Sequence, residues 1–245
     1  MQNNKNILAF KKFWNTQNSS LHRDGEFIKE KAIEHTDVLN SLVNLSDNIA
    51  DIGCGFGELL IEYLKNGLNI THAVDFSDSA VNASIEACSG HSISISTTPV
   101  DTFIANSDVD CIIACASINQ FLNGAQMREL IELFIANSNL KLFVMFDCID
   151  PILLDSLSLW SRYENHGLSK YSSYKKHFLF CLKVISKIFK RIFTFSPFKS
   201  EYLGISMGYA YPTSYWHYHL SALHLKYRIV SSKYYEYRYH VIISK

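Results

Sequence analysis

Three glycines at alternate positions, flanked by acids, form the part of this sequence best suited to hold a ligand. Residues 49–58 are typical of a short buried strand, a turn and the start of a helix, with Gly53, Gly55 and Gly57 in the turn. Glycine lets the backbone approach a bound molecule that a side chain would keep away. Asp51 and Glu58, on either side of this turn, favour a ligand with positive charge over a phosphate.

The spacing of the glycines excludes a pyrophosphate-binding turn. The fingerprint G-x-G-x-x-G would need a third glycine at position 58 or 60, where this chain has Glu58 and Leu60. A ligand with positive charge and no phosphate fits better. S-adenosylmethionine, which carries a sulfonium and an amino group, has these properties, so the pattern predicts it as the ligand.

The glycine motif also resembles a known family. Asp51-x-Gly53-x-Gly55-x-Gly57 is similar to the first motif of class I S-adenosylmethionine-dependent methyltransferases, and residues 73–77 resemble their second strand with its ribose-binding acid. That acid, Asp75, follows Gly57 by 18 residues, close to the one-helix spacing of a βαβ unit. The resemblance covers about residues 45–148. The alternative is a tight strand-to-helix turn that binds no ligand.

The resemblance implies a set of cofactor contacts. The glycine turn would face the methionine part of the cofactor, Asp75 the ribose and Phe76 one face of the adenine ring. Asp101 resembles the acid that accepts from the adenine amino group, and its alternative role is to cap a short helix at 102–106. The cofactor-binding residues implied in this way are Asp51, Gly53, Cys54, Gly55, Gly57, Asp75, Phe76, Val100, Asp101 and Ser117.

The acceptor side is predicted from two segments. Many small-molecule relatives have a histidine just after the fourth strand, whereas this chain has Asn119 and Gln120 there, which we expect to contact the substrate. The second segment is 209–219, in which Tyr209 and Tyr211 are further candidate substrate contacts. Histidine is the usual general base near neutral pH, so His217 is the first candidate for that role and His219 the second. The alternative for both is a histidine without catalytic function.

The surrounding sequence predicts the elements that position these residues. Near-continuous apolar runs at 110–115 and 140–146 are typical of parallel strands covered on both faces. We expect an α/β fold with a doubly wound, seven-stranded, mostly parallel sheet, the Rossmann-like methyltransferase fold, with an antiparallel C-terminal hairpin and a helical insertion. The predicted strands are 48–52, 70–75, 92–97, 109–115, 141–147, 227–234 and 237–244, and the predicted helices are 10–18, 24–43 (capped by Asp24), 57–66, 78–88, 124–136 and 213–225.

Four regions follow from this pattern. We expect N-terminal helices that close over the cofactor at 1–45, an S-adenosylmethionine-binding core at 46–150, a helical substrate-binding insertion at 151–211, and a last helix and hairpin at 212–245. Within the insertion, residues 170–199 contain eight basic residues, no acid and an apolar stripe at helical spacing. Such a helix caps a pocket, lies on an anionic membrane, or packs its stripe on the main domain.

Charge is divided unevenly along the chain. Residues 1–150 contain 9 Lys and Arg against 19 Asp and Glu, whereas residues 151–245 contain 14 against 4. A basic second part raises the local concentration of anionic ligands. The six cysteines form no C-x-x-C pair, and neither a signal peptide nor a long apolar run occurs, so we expect reduced thiols in a cytoplasmic protein.

These observations predict an O-methyltransferase that acts on a small, anionic acceptor, such as a phosphorylated, carboxylated, nucleotide-linked or lipid-linked sugar in carbohydrate biosynthesis. The sequence strings of DNA amino-methylating and cytosine C5 enzymes are absent, so DNA is not an expected substrate. An RNA methyltransferase and a non-catalytic binding subunit are the alternatives. Only Asp147 and Asp150 lie where a magnesium site would need acids, so we expect no metal.

Overall fold

The computed structural model describes residues 27–44, 46–153, 182, 185, 186, 189, 197–202 and 205–245. The predicted helix at 10–18, the predicted cap Asp24 and most of the basic stretch lie outside these residues. The described helices are α1 (Ile28–Asn40), α2 (Glu58–Lys65), α3 (Asp78–Ala87), α4 (Val100–Asn106), α5 (Ile118–Phe121), α6 (Gly124–Ala136) and α7 (Thr213–Ala222). The described strands are β1 (Ile49–Ile52), β2 (Ile70–Val74), β3 (Ser94–Ser96), β4 (Cys111–Cys115), β5 (Leu142–Ile149), β6 (Phe198–Tyr202), β7 (Ile205–Ala210), β8 (Lys226–Ser231) and β9 (Arg238–Ser244).

Seven of the strands form one mixed sheet in the order β3-β2-β1-β4-β5-β9-β8. Strands β1 to β5 run parallel to one another, and β9 is antiparallel to both β5 and β8. The predicted doubly wound sheet and its antiparallel C-terminal hairpin are therefore confirmed. The strand order reverses between β1 and β4, and in such sheets ligands bind beyond the carboxyl ends of the strands at this point.

Two apolar layers cover the sheet. The layer on one face includes Phe134 of α6 and Trp216 of α7, and the layer on the other includes Leu39 of α1 and Tyr63 of α2. In β5 every residue but the last is buried, as expected for a strand covered on both faces. The helices therefore fix the strand ends from both sides, and the loops at the carboxyl ends of the strands are held in place.

The insertion contains a feature that the sequence did not predict. Strands β6 and β7 form a separate antiparallel hairpin at the end of a region predicted to be helical. Gly208 of β7, with φ +86°, lies so close to the carbonyl oxygen of Gln120 in α5 that a Cβ atom would overlap it. The hairpin thus contacts a helix that is far away in sequence, and a local helical period cannot reveal such a contact.

Three side chains of the predicted apolar stripe are described, and all are exposed. Leu182, Ile185 and Phe189 are helical and have 44%, 49% and 58% of their surface exposed. Among the described residues, no helix is long and apolar enough to cross a membrane.

Candidate functional site

The glycine turn after β1 has a left-handed backbone at each glycine. The φ angles of Gly53, Gly55 and Gly57 are +76°, +57° and +82°, a region that residues with a Cβ atom rarely adopt. The N–H groups of Gly53 and Cys54 donate to the carbonyl of Val74, which ties the turn to β2. A Cβ atom on Gly55 would meet nothing within 4 Å. That side of the turn is open, so a ligand has room there.

Gly53 is instead enclosed by Ser117. A Cβ atom on Gly53 would overlap the Ser117 Cβ, so only glycine fits without a shift. The Ser117 hydroxyl is buried and donates to the carbonyl of Ile52 at 2.8 Å. The preceding residue, Ala116, has a φ of +47°, which is strained for a residue with a side chain. Ser117 thus joins the ends of β1 and β4 directly beneath the glycine turn.

Asp75 holds the same turn from the side of β2. Its carboxylate accepts from the Gly55 N–H at 3.0 Å and from the Ser77 N–H at 2.9 Å. Burial raises the pKa of Asp75, and these backbone hydrogen bonds oppose the rise because they favour the charged form. Each carboxylate oxygen keeps a further acceptor site, so contact with a ligand hydroxyl remains compatible with these bonds.

Asp51 is buried at the end of β1, with 3% of its surface exposed. Burial, with a smaller contribution from the charge of Asp75, raises its pKa to about 7. Within the part of the chain that the structure describes, its carboxylate has no hydrogen-bond partner. A buried acid without a partner costs free energy when it ionises, and a cationic ligand would remove that cost.

The aromatic pair beside the turn includes one residue that the sequence analysis missed. The half-buried ring of Phe76 lies 6.0 Å from that of Phe121, edge to face. Phe121 lies in α5, one turn after Ser117, and its aromatic ring in the loop after β4 was the signal available. Two adjacent aromatic rings at the carboxyl edge of the sheet suit contact with a planar heterocycle.

The other predicted cofactor residues have mixed placements. The Cys54 sulfur packs against Ser84 of α3 at 3.9 Å, so its side chain points into the fold and only its backbone belongs to the turn. Val100 is half-buried at the start of α4. Asp101 is exposed and accepts from the Thr102 N–H. Its alternative role as the cap of a helix starting at 102 is wrong, because α4 begins at Val100 after Pro99.

Two predicted substrate contacts are placed in the core. The Asn119 side-chain nitrogen donates to the carbonyl of Phe146 and to the Cys148 sulfur, both at 3.3 Å, and only 2% of the residue is exposed. Tyr211 is buried and its hydroxyl donates to the carbonyl of Leu122 at 2.6 Å. These side chains are buried hydrogen-bonding anchors of the fold, and their contact with substrate stays a prediction. Neither burial was visible in the local sequence.

Gln120 and Tyr209 remain at the candidate acceptor side. Both are half-buried, and they lie on α5 and β7, the two elements brought together by the close approach at Gly208. Because α5 follows β4 directly, this contact places the β6–β7 hairpin beside the loop that holds Ser117. The hairpin therefore adds a wall at the carboxyl edge of the sheet.

The structure separates His217 from the glycine turn. Its Nδ1 atom lies 2.9 Å from the hydroxyl of Tyr227 in β8, the edge strand. In the sheet register, Tyr227 shares a row with Phe143 and Ala50, at the amino half of the parallel strands. Four strand spacings, roughly 19 Å, also separate β8 from β1. His217 therefore lies well away from the glycine turn, and its role as the general base stays a prediction.

The second candidate base, His219, is half-buried on α7. Its ring packs against Tyr215 at 4.3 Å and Tyr218 at 5.1 Å. Tyr215 is buried, and its hydroxyl donates to the carbonyl of Gly124. His219 is thus part of an aromatic group on the face of the sheet, one turn down the helix from that anchor. Nothing in this geometry brings it to the turn.

A charged cluster that the sequence did not predict lies at the end of β5. It consists of Lys31, Asp147 and Arg238. The Asp147 Oδ2 atom lies 3.1 Å from the Lys31 Nζ and 3.1 Å from the Arg238 Nη1. Asp147 is buried and has a φ of +56°, at a bulge in the pairing of β5 with β9. Burial raises the pKa of Asp147, but the neighbouring His35, Arg238 and Lys31 outweigh it and hold that pKa below its usual range.

Two histidines, His35 of α1 and His240 of β9, lie beside this cluster. The buried ring of His35 stacks on Phe146, and its Nδ1 lies 2.6 Å from the Tyr63 hydroxyl. Burial lowers the pKa of His35 to about 3, so the ring is neutral. Atoms of His35, Cys115 and Asp147 that could bind a metal lie within 4.8 Å of one another. Lys31 and Arg238 already neutralise Asp147, so the charges at this position do not favour a metal ion.

Comparison with known proteins finds similar structures. No protein-family model matches the sequence, and no curated protein matches it. Magnesium protoporphyrin IX methyltransferase from Synechocystis PCC 6803 with bound SAH matches with a TM-score of 0.53 at 11% identity, over 98% of this chain and 94% of that chain. The DhpI-SAM-HEP complex matches with a TM-score of 0.58 at 8% identity, over 98% of this chain and 97% of that chain. DesVI of Streptomyces venezuelae matches with a TM-score of 0.56 at 9% identity, over 89% of this chain and 92% of that chain.

Structural similarity at such low sequence identity establishes the fold and does not identify the acceptor. The strand order, the glycine turn after β1 and the acid after β2 are those that the sequence resemblance implied. The chain has the fold of the class I S-adenosylmethionine-dependent methyltransferases, as its glycine motif predicted.

Proposed function

We propose that this protein is an S-adenosylmethionine-dependent O-methyltransferase that acts on a small, anionic acceptor, such as a phosphorylated, carboxylated, nucleotide-linked or lipid-linked sugar. The observation that carries the proposal is the open side of the glycine turn between two buried acids, Asp51 and Asp75. The structures similar to this chain include one with bound SAH and one with bound SAM, which supports the same cofactor here.

The residues of the site suit the chemistry of methyl transfer. S-adenosylmethionine, when bound, supplies a methyl group activated by a sulfonium. Asp51 would balance positive charge on the cofactor, Asp75 would bind the ribose hydroxyls, and Phe76 with Phe121 would hold the adenine ring. The site then needs to orient the acceptor and exclude water, because the reaction is an in-line displacement.

An acceptor that is already ionised would need no general base. An alcohol is a poor nucleophile until a base accepts its proton. A carboxylate or phosphate oxygen is already ionised at neutral pH and can be methylated by positioning alone. The excess of basic residues in the second part of the chain supports the same class of acceptor.

The direct test is binding of S-adenosylmethionine measured by isothermal titration calorimetry. We expect the wild type to bind and Asp75→Ala to bind more weakly by about 1–3 kcal/mol, through loss of charge-assisted hydrogen bonds to the ribose. Asp78→Ala is the matched control, because Asp78 is an exposed acid three residues further along. Failure of the folded wild type to bind S-adenosylmethionine would refute the proposal.

The raised pKa of Asp51 predicts a pH dependence of cofactor binding. Below pH 7 the carboxyl group is mostly protonated in the free protein, since its pKa is about 7. A cation that requires the carboxylate must displace this proton, so affinity should rise about tenfold between about pH 5.5 and pH 7 and then level off. Asp51→Asn should bind more weakly and lose this slope. An equal slope in the variant would exclude Asp51 as its source.

A further inference from the structure

Lys31 and Arg238 lie near the carboxyl ends of the parallel strands, the side on which ligands bind in sheets of this kind. Lys31 is in the first turn of α1, whose other end leads to β1. Arg238 is the first residue of β9 and pairs with Ile149, the last residue of β5. The carboxyl end of β5 is separated from the glycine turn only by β4. Both cations therefore lie near the position to which a methyl group would be delivered.

These cations have more hydrogen-bond donors than the protein uses. A guanidinium carries five N–H groups and an ammonium three. Among the described residues, Lys31 and Arg238 share a single acceptor atom, the Asp147 Oδ2, and the buried Arg238 Nε has no partner. Glu34 does not supply the missing acceptor. Its carboxylate accepts from the Lys233 N–H and the Ser232 hydroxyl and faces His240.

Two tyrosines form an aromatic wall beside the cations. The ring of Tyr235 lies 4.9 Å from the Lys31 Nζ and 4.6 Å from the Arg238 guanidinium carbon, and Tyr237 lies 5.6 Å from the latter. Such contacts hold the cations in place and restrict their access to water. An anion that reaches them is therefore attracted more strongly than it would be on an open surface.

We propose that Lys31 and Arg238 form the subsite that binds the negatively charged group, a carboxylate or a phosphate, of the methyl acceptor. The inference rests on the proposed function and adds the residues that recognise the acceptor. Arginine matches the paired oxygens of both anions through two parallel N–H groups, and lysine adds a point charge. Asp147 orients the two cations from the opposite side and keeps them charged within the fold.

The subsite can be tested without the acceptor. Inorganic phosphate and acetate, each compared with chloride at equal ionic strength, should raise the melting temperature of the wild type with a saturable dependence. Arg238→Gln and Lys31→Met should each weaken the apparent anion affinity about tenfold, because each removes charge-assisted hydrogen bonds. Lys141→Met is the control, since Lys141 is an exposed lysine that pairs with Asp110 elsewhere. If Arg238→Gln does not fold, Arg238→Lys tests the loss of the planar fork with the charge kept.

The outcomes distinguish an anion-binding subsite from cations that do not bind the anion. An Arg238→Gln protein that melts cooperatively and responds to both anions as the wild type does would overturn the inference. S-adenosylmethionine affinity should be the same in all variants, which separates the two proposals. If the wild type binds phosphate or acetate through these residues and does not bind the cofactor, the subsite holds and the proposed function fails. The anion that saturates at lower concentration indicates the class of acceptor.

Discussion

Gly53→Ala is expected to destabilise the protein by about 2–5 kcal/mol and to abolish cofactor binding. Two effects add up. A left-handed backbone costs a residue with a Cβ atom about 1–2 kcal/mol. The new methyl group would also overlap the Ser117 Cβ, and relieving such overlap in a packed region costs about 1–3 kcal/mol more. Urea denaturation measures the first result and calorimetry with S-adenosylmethionine the second.

Two comparisons separate strain from overlap. Gly67→Ala has a similar φ, +84°, but its Cβ would meet nothing within 4 Å, so it should lose only the backbone cost of about 1–2 kcal/mol. Ser117→Gly removes the overlapping atoms and leaves the Cα of residue 117 at 3.8 Å, an ordinary contact. The double variant of Gly53→Ala and Ser117→Gly should therefore be more stable than the sum of the single effects. Strict additivity would show that Ser117 is not the obstacle.

Asp147→Asn is expected to destabilise the protein by about 3–5 kcal/mol, because it leaves two largely buried cations without their counter-ion. The matched control is Asp110→Asn. Asp110 pairs with Lys141 at the surface, where 68% of the lysine side chain is exposed, and such pairs contribute less than about 1 kcal/mol. Equal losses in the two variants would contradict the assigned importance of the buried cluster.

The same prediction has a pH dependence with a definite sign. The folded-state pKa of Asp147 lies below its ordinary value, so its contribution is present above the ordinary carboxyl pKa and is lost as the pH falls through the folded-state value. The difference in unfolding free energy between the wild type and Asp147→Asn should therefore be constant from neutral pH down to about pH 4 and shrink below it. A difference that grows in acid would show that another group is responsible.

The local sequence predicted most of the sheet because its signals are short-range. The apolar runs of β4 and β5 and the helix between them were placed within a few residues. The glycine pattern from Gly53 to Gly57 identified the turn, since alternate glycines between a strand and a helix leave few conformations. Asp75 was identified by its spacing from Gly57 in the sequence, because one helix connects consecutive parallel strands.

The same reasoning was less successful for the acceptor side. His217 follows the start of α7 in a segment rich in tyrosine, and its residue type suggested a base. The direction in which a helical side chain points depends on the packing of α7 across the sheet, and that packing places His217 next to Tyr227. Asn119 and Tyr211 were also predicted to contact the substrate from their residue type and position in the sequence. Both are buried hydrogen-bonding anchors.

The sequence by itself determined the order along the chain of the seven strands of the main sheet and of the longer helices, the position of the glycine turn and the identity of the two acids beside it. These depend on residues within one βαβ unit, where chain connectivity fixes the geometry. Only the tertiary structure decided that Ser117 encloses Gly53, that the β6–β7 hairpin lies against α5, and that Lys31 and Arg238 converge on Asp147. Each of these contacts joins residues that are distant in the chain, and it exists only after the sheet and its covering helices have packed.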